Sequence, residues 1–373
     1  MIAVVVHLRS LFQKKQMNEV ESRCRKAFDD YGVSSILWNV TYECGLKCKH
    51  CYVGETKRLE QELNHEQAQN LVSQIGDMGI PLLFMTGGEP LMRKDTLSLL
   101  SQCKDLGVTT VLSSNGLLLD SEKIQLLRRN NVHFLAVSLY GPPAAHDEVV
   151  GISGSYEKLM GNVKECISQG INICFKTVIS SYTYDNIPFI VGKGIELGVK
   201  SFYLCDLLET GRAMGVHGWR VSNENWQKLA QYLFDKVVVD GEAEIDLGAC
   251  PSMASLAIEH FKTSRNVDHA LQRLTGLSAC PIGRGSLGIN AKGDILPCIF
   301  MQNFSIGNVL KDNLRKAAFD PLLQAIASKD QLSGVCGTCQ YKSMCGGCRA
   351  KAYLKNGDIY GEDPTCMLSR QAR

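Results

Sequence analysis

Cys44-Gly45-Leu46-Lys47-Cys48-Lys49-His50-Cys51-Tyr52 is the stretch that decides how the rest of this chain is read. It sets three thiols in a C-x3-C-x2-C spacing, with an aromatic residue after the third. Cysteine thiolates hold iron–sulfur clusters, and a cubane takes four of them. Three from one short loop grip three irons and leave the fourth open to a ligand that is not protein. Structural zinc sites also gather cysteines, but they close with four ligands and favour paired C-x2-C spacings.

The flanking sequence gives this loop a scaffold. An apolar run, Ser35–Thr41, leads into it, and a second, Pro81–Thr86, ends at Gly87-Gly88-Glu89-Pro90. Glycines there permit close backbone approach, although Gly-Gly and Glu-Pro also mark ordinary turns. Further strands are expected at Val108–Ser114, Phe134–Leu139, Ile171–Ile179 and Lys200–Asp206. Helical patterns separate them at His65–Met78, Lys94–Leu106, Ser121–Asn130, Tyr156–Gln169 and Ile187–Leu197. Near-continuous apolar strands alternating with helices argue for βαβ units and a parallel sheet. Both motifs fall at the C-terminal ends of strands, where barrel enzymes keep their chemistry.

Composition narrows the class. The 373 residues suffice for two or more domains with buried cores. With 40 basic and 38 acidic residues the net charge is +2, which gives no nucleic-acid footprint. Met1-Ile2-Ala3-Val4-Val5-Val6 is apolar but far too short to span a bilayer, and it reads as an added strand or a docked terminal segment. Sixteen cysteines without a secretory signal suit metal clusters in a reducing, cytoplasmic setting better than disulfides. Seven of them, Cys280, Cys298, Cys336, Cys339, Cys345, Cys348 and Cys366, crowd the C-terminal hundred residues. A zinc-ribbon quartet from Cys336 to Cys348 is the plain alternative there.

The cysteine loop and the Gly87–Pro90 turn together resemble the signature motifs of the radical S-adenosylmethionine (radical SAM) superfamily, and the C-terminal cysteines resemble its SPASM extension. The resemblance implies a partial (β/α)6 TIM-like barrel over 34–215, an α/β fold, with a small cysteine-rich domain over 280–373. An N-terminal extension, 1–33, would precede the barrel, and a helical bridging region, 216–279, would join the two parts. It implies SAM on the open iron of the cluster held by Cys44, Cys48 and Cys51, one-electron cleavage of SAM, and hydrogen abstraction from a substrate C–H. Tyr52, Gly87, Gly88, Glu89 and Pro90 would bind SAM, the Glu89 carboxylate receiving its amino group. Asn115, Ser138 and Lys176 would add contacts from the third, fourth and fifth strands. Tyr140 stands where the family often has Asp, and His146-Asp147 resembles an HD pair of a substrate-side loop, with valine replacing the usual arginine.

Carried over residue by residue, Cys336, Cys339, Cys345 and Cys366 would ligate one auxiliary 4Fe–4S cluster fully. Cys280, Cys298 and Cys348 would hold another by three thiolates, making three clusters in all. Some SPASM enzymes have an extra cysteine six residues after the first; here that position is Ser286. The nearer cluster then has either an open iron or a fourth ligand from elsewhere, with Cys250 a candidate beside its alternative as a core residue. Cys24, Cys103, Cys166, Cys174 and Cys205 fall in helix or strand patterns and are expected in the core. Auxiliary clusters accept an electron from the product radical or bind substrate. Asp206 and Glu209 are candidate proton acceptors, with solvent-facing loop acids the alternative. Arg212 is a candidate partner for a substrate carboxylate, against a surface salt bridge. A donor such as ferredoxin or flavodoxin would supply electrons.

For the substrate, Leu37–Thr41, Ser201–Ala213, Cys345–Tyr353 and Gly361–Pro364 resemble the tetrapyrrole branch of SPASM proteins, the haem d1 and alternative-haem-pathway enzymes. That implies decarboxylation or removal of acetate or propionate side chains. Peptide modification, by thioether or carbon–carbon crosslinking, is the alternative. Many peptide-modifying relatives carry a leader-binding domain before the barrel, longer than the 33 residues here.

Overall fold

The structure, a computed structural model, describes residues 19–234, 243–261 and 280–368; Met1–Val6 lies outside them. The six expected strands are β1 (Val33–Thr41), β2 (Leu82–Gly87), β3 (Thr109–Ser114), β4 (Phe134–Ser138), β5 (Ile173–Ile179) and β6 (Ser201–Asp206). They lie side by side in chain order, all parallel. Helices α2 (His65–Asp77), α3 (Thr96–Asp105), α4 (Ser121–Arg129), α6 (Ser155–Ser168) and α7 (Ile187–Glu196) alternate with them, and α5 (Pro143–Val150) is a short extra turn before α6. In α2 the Asn64 and Gln67 side chains form a reciprocal capping box, and Ala68, Leu71, Val72 and Ile75 face the core at helical spacing.

The sheet extends past the six strands on both sides. The bridging stretch expected to be helical contains α8 (Asn223–Leu233) and α9 (Ser252–Phe261), but also a strand, β7 (Glu244–Gly248), parallel to β6. On the other side β8 (Gly285–Ile289), from the cysteine-rich region, pairs in parallel with β1. Strands β9 (Asp294–Leu296) and β10 (Gly307–Asn308) continue antiparallel. Among the described residues the ten-stranded order is β10-β9-β8-β1-β2-β3-β4-β5-β6-β7, an open sheet whose two ends do not pair. The C-terminal region is thus grown onto the barrel's first strand.

Within the N-terminal extension, helix α1 (Glu19–Tyr31) sets Val20 and Cys24 against Leu82, Val111, Ala136, Phe84, Phe134 and Cys174. Those are inward-facing strand residues, so α1 floors the interior at the N-terminal ends of the strands. Arg23 fastens it by donating to the Gly107 carbonyl at 2.6 Å.

Candidate active site

Alternate residues of β1 to β8 point into one cavity of about 560 Å³, inside the range of small-molecule sites. Strand register carries the row Ser138, Lys176, Tyr203 and Asp246 across β4 to β7, and all four line it. At the C-terminal ends of the strands the lining includes Cys44, Cys48 and Cys51; toward the C-terminal region it includes Cys280, Cys298 and Cys348. Two cysteine sets far apart in sequence therefore look into the same space. The other four, Cys336, Cys339, Cys345 and Cys366, line a separate pocket of about 30 Å³. Among the described residues no three His, Cys, Asp or Glu side chains gather closely enough for a single metal ion. The thiols instead surround volumes, which is how a cubane, with one thiolate per iron corner, must be held.

The first cysteine loop is pinned by backbone. Cys44 N–H donates to the Thr56 carbonyl at 3.0 Å, and Cys51 N–H donates to that of Cys48 at 3.2 Å. Buried Glu62 accepts from the Tyr42 N–H and the Thr41 hydroxyl, each at 2.8 Å. Gly88 N–H donates to Thr41 O at 2.8 Å and Glu89 N–H to Glu43 O at 2.7 Å. A Cβ on Gly87 would run into Thr41 O, and one on Gly88 into the Glu43 and Tyr42 carbonyls. These are cradle glycines in the strict sense. Burial pushes the Cys44 thiol up and the Cys48 thiol to about 12, with its neighbouring cysteines adding to the rise and Arg212 opposing it. Without metal they stay protonated, and ligation would displace their protons. The donor set, the cradle and the cavity all fit a cubane with a SAM-sized ligand.

Several expected contacts sit in the cavity wall. Tyr52 lines it, its hydroxyl donating to Asn39 Oδ1 at 2.7 Å and its ring edge-on to Phe300. Asn115, Ser138 and Lys176 line it too, and Lys176 donates to the Ser113 hydroxyl. Burial holds the Lys176 ammonium below its ordinary value, with Glu89 opposing.

Other expected site residues are engaged by partners within the chain. Glu89 is wholly buried, and its carboxylate sits behind the cavity wall, bonded to residues that line it. It accepts from Ser114 Oγ (2.9 Å), Asn115 N–H (2.7 Å) and Leu91 N–H (3.1 Å), tying the end of β2 to that of β3. Pro90 opens the short helix Pro90–Met92 behind it. Arg212 is spent on the cysteine loop: its Nε donates to Cys48 O at 3.0 Å and a terminal nitrogen to Gly54 O at 2.7 Å, while its own N–H donates to Cys51 O at 2.9 Å. A substrate carboxylate would have to compete with those carbonyls. Asp206 is no loop acid facing solvent. It is 5% exposed and paired with Lys351, whose ammonium also donates to Thr365 Oγ1 at 3.1 Å. Burial works against the Lys351 charge, and Asp206 and Asp363 beside it prevail, holding it above its ordinary range. Glu209 lies at the surface, 4.0 Å from Arg220, and Asp147 caps the start of α6 through Gly154, Ser155 and Tyr156.

Among the remaining cysteines, Cys24, Cys103 and Cys166 are fully buried as expected, while Cys174 and Cys205 line the cavity. Cys250 is buried in the core and does not reach the cavity lining. A polar wall stands beside the first loop, in which His50 joins Tyr140 and His146. His50 Nε2 lies 3.0 Å from the Tyr140 hydroxyl, and Tyr140 stacks on His146. Burial lowers both imidazoles to about 4. Strand parity with Lys176 would have flagged Cys174, and the position of His50 between two ligands would have flagged it.

Between the two auxiliary sets runs a hydrogen-bonded bridge. Cys348 N–H donates to Asp363 Oδ2 at 2.7 Å, and Asp363 N–H donates to Cys336 Sγ at 3.3 Å. Buried Arg349 holds the strip around it, donating to Gly361 O at 2.6 Å and to Cys336 Sγ at 3.7 Å.

The chain is similar to known proteins over most of its length. The radical SAM superfamily model matches residues 38–188, and the SPASM iron–sulfur cluster-binding domain model matches 280–340; Cys345, Cys348 and Cys366 lie beyond that stretch. The chain is 27% identical to AdoMet-dependent heme synthase of Methanosarcina barkeri, over 89% of this chain and 95% of that one. It is 27% identical to pre-heme d1 synthase of Dinoroseobacter shibae, over 90% of this chain and 86% of that one. In fold it is similar to Streptococcus suis SuiB bound to precursor peptide SuiA, with a TM-score of 0.73 at 19% identity, covering 95% of this chain and 83% of that one.

Proposed function

The chain is a radical SAM enzyme with a C-terminal SPASM domain, and from that premise we propose that it removes or decarboxylates carboxylate side chains of a tetrapyrrole in haem-type biosynthesis. The observation that carries the reading is the single cavity faced by Cys44, Cys48 and Cys51 on one side and Cys280, Cys298 and Cys348 on the other. A substrate lodged there is within reach of both cluster sites. With SAM and its cluster bound, the first site supplies hydrogen-atom abstraction. The chain's own part is to bind, orient and shield. Leu37, Phe84, Val111, Phe134, Leu287 and Phe300 give apolar walls suited to a flat ring system. Lys176 is the cavity's lysine and is assigned to a carboxylate, that of SAM, with Ser138 and Asn115 beside it. Arg212 and the Gly87-Gly88 cradle hold the loop in register from the cavity wall.

In this reading Cys44, Cys48 and Cys51 would hold one 4Fe–4S cluster, Cys280, Cys298 and Cys348 a second, and Cys336, Cys339, Cys345 and Cys366 a third, about twelve irons per chain, the latter two supplying electron acceptance. A ferredoxin- or flavodoxin-type donor would supply the electron, in an anaerobic cytoplasm. No helix among the described residues is long and apolar enough to cross a membrane. The names of the two synthases above support the substrate class. The test is anaerobic incubation of reconstituted, reduced protein with SAM and either a decarboxylated sirohaem or iron-coproporphyrin, followed by mass spectrometry. Stoichiometric 5′-deoxyadenosine with a mass loss from the tetrapyrrole supports the proposal. SAM cleavage beside an unchanged tetrapyrrole rejects the substrate and turns the search to peptides.

A further inference from the structure

The three-cysteine auxiliary site has a fourth donor within its own wall. Ser286 is 4% exposed, lines the cavity with Cys280, Cys298 and Cys348, and its hydroxyl has no hydrogen-bond partner among the described residues. A buried hydroxyl left unpaired is costly, and its neighbours offer no relief: the Ser34 and Ser35 hydroxyls both donate to Gly285 O, at 3.1 and 3.2 Å.

Backbone pairing brings the thiol-bearing loops to this residue. The bridge between Ile282 and Ser286 folds the segment carrying Cys280 back beside it. The β8–β9 ladder pairs Gly288 with Leu296 and Ile289 with Ile295. Strand β9 ends at Leu296, and the chain then bends so that the Cys298 carbonyl carbon and the Ile299 nitrogen lie against Gly288, two residues after Ser286. Cys348 closes the set from the C-terminal side.

We propose that Ser286 Oγ is the fourth protein ligand of the auxiliary cluster held by Cys280, Cys298 and Cys348. On ligation the O–H bond breaks, its proton passes to water and an iron–oxygen bond forms, with no change in oxidation state. Substrate then meets a coordinatively closed cluster and cannot bind its iron. The inference rests on the auxiliary site being loaded, and the test separates the two.

Full-length protein reconstituted with iron-57, with SAM saturating, is compared with Ser286→Ala and Ser286→Cys by Mössbauer spectroscopy and by iron loss on mild ferricyanide oxidation. Expected are one oxygen-ligated auxiliary iron in the parent that is absent in Ser286→Cys, and resistance to oxidation in both. Ser286→Ala should lose about one iron per chain, as an open corner is the labile one. The auxiliary midpoint potential should move upward in Ser286→Cys, where thiolate replaces the harder alkoxide. Equal iron loss in parent and Ser286→Ala, with no oxygen-ligated site in the parent, overturns the assignment while leaving a three-thiolate cluster standing. A parent holding no iron at Cys280, Cys298 and Cys348 overturns both the assignment and the reading beneath it.

Discussion

Replacing Arg212 tests whether this residue holds the cluster loop or waits for a substrate. The half-buried guanidinium donates to Cys48 O at 3.0 Å and Gly54 O at 2.7 Å, with a longer contact to Glu55 O at 3.4 Å. Hydrogen bonds from charged groups contribute about 1.5–3 kcal/mol each. Two good ones, discounted for partial exposure, come to roughly 3 kcal/mol, on the order of a hundredfold in the equilibrium that keeps the loop closed. Arg212→Met should therefore leave the first cluster underfilled, by about four irons per chain at the limit, and depress SAM cleavage even without substrate. Arg212→Lys keeps the charge but lacks the fork that reaches both carbonyls, so it should fall between. The assay is iron content together with 5′-deoxyadenosine formed in substrate-free, dithionite-reduced protein. Full iron and unchanged substrate-free cleavage, with only KM for substrate raised, would refute this role and return Arg212 to substrate binding.

Three further outcomes follow from contacts elsewhere. Lys351→Met leaves Asp206 buried without its cation, so unfolding free energy should drop by about 3–5 kcal/mol; adding Asp206→Asn should recover most of it in denaturant titrations. Gly88→Ala drives a methyl into the Tyr42 and Glu43 carbonyls; equilibrium dialysis should show SAM binding abolished, and wild-type affinity would count against the cradle. Burial holds His146 down to about 4, against an unfolded value near 6.5. The unfolded chain takes up the proton first, so stability present above about pH 6.5 is lost as pH falls toward about 4. His146→Gln should flatten that slope in urea midpoints measured across the window, and an unchanged slope would contradict the burial argument.

What the sequence disclosed was local in character. The first cysteine loop, the Gly87-Gly88 cradle and β1 to β6 are each specified within a few residues, by thiol spacing, by turn chemistry or by an apolar run. Strand β7 was missed because Glu244-Ile245-Asp246-Leu247 is short and half polar, although its alternation is that of a strand with one face in a polar cavity. Nothing local could tell that β8 would pair with β1, some 250 residues earlier. The contacts of Arg212 were not legible for a related reason: its partners are backbone carbonyls, which carry no side-chain signature. Asp206 meets Lys351 across 145 residues, and only the fold reveals that an acid at a strand end is sealed rather than exposed. Glu89 fits its motif, yet its carboxylate serves the β2–β3 corner. Motif spacing identifies which residues belong to a site, and packing decides which way each one points.

The most direct test of the account is the Cys44→Ala/Cys48→Ala/Cys51→Ala variant, reconstituted anaerobically, assayed for iron and for SAM cleavage. The account predicts that about eight of roughly twelve irons remain, on the two auxiliary sites, and that no 5′-deoxyadenosine forms. Cleavage retained in that variant would contradict the assignment of the first loop, and with it the function.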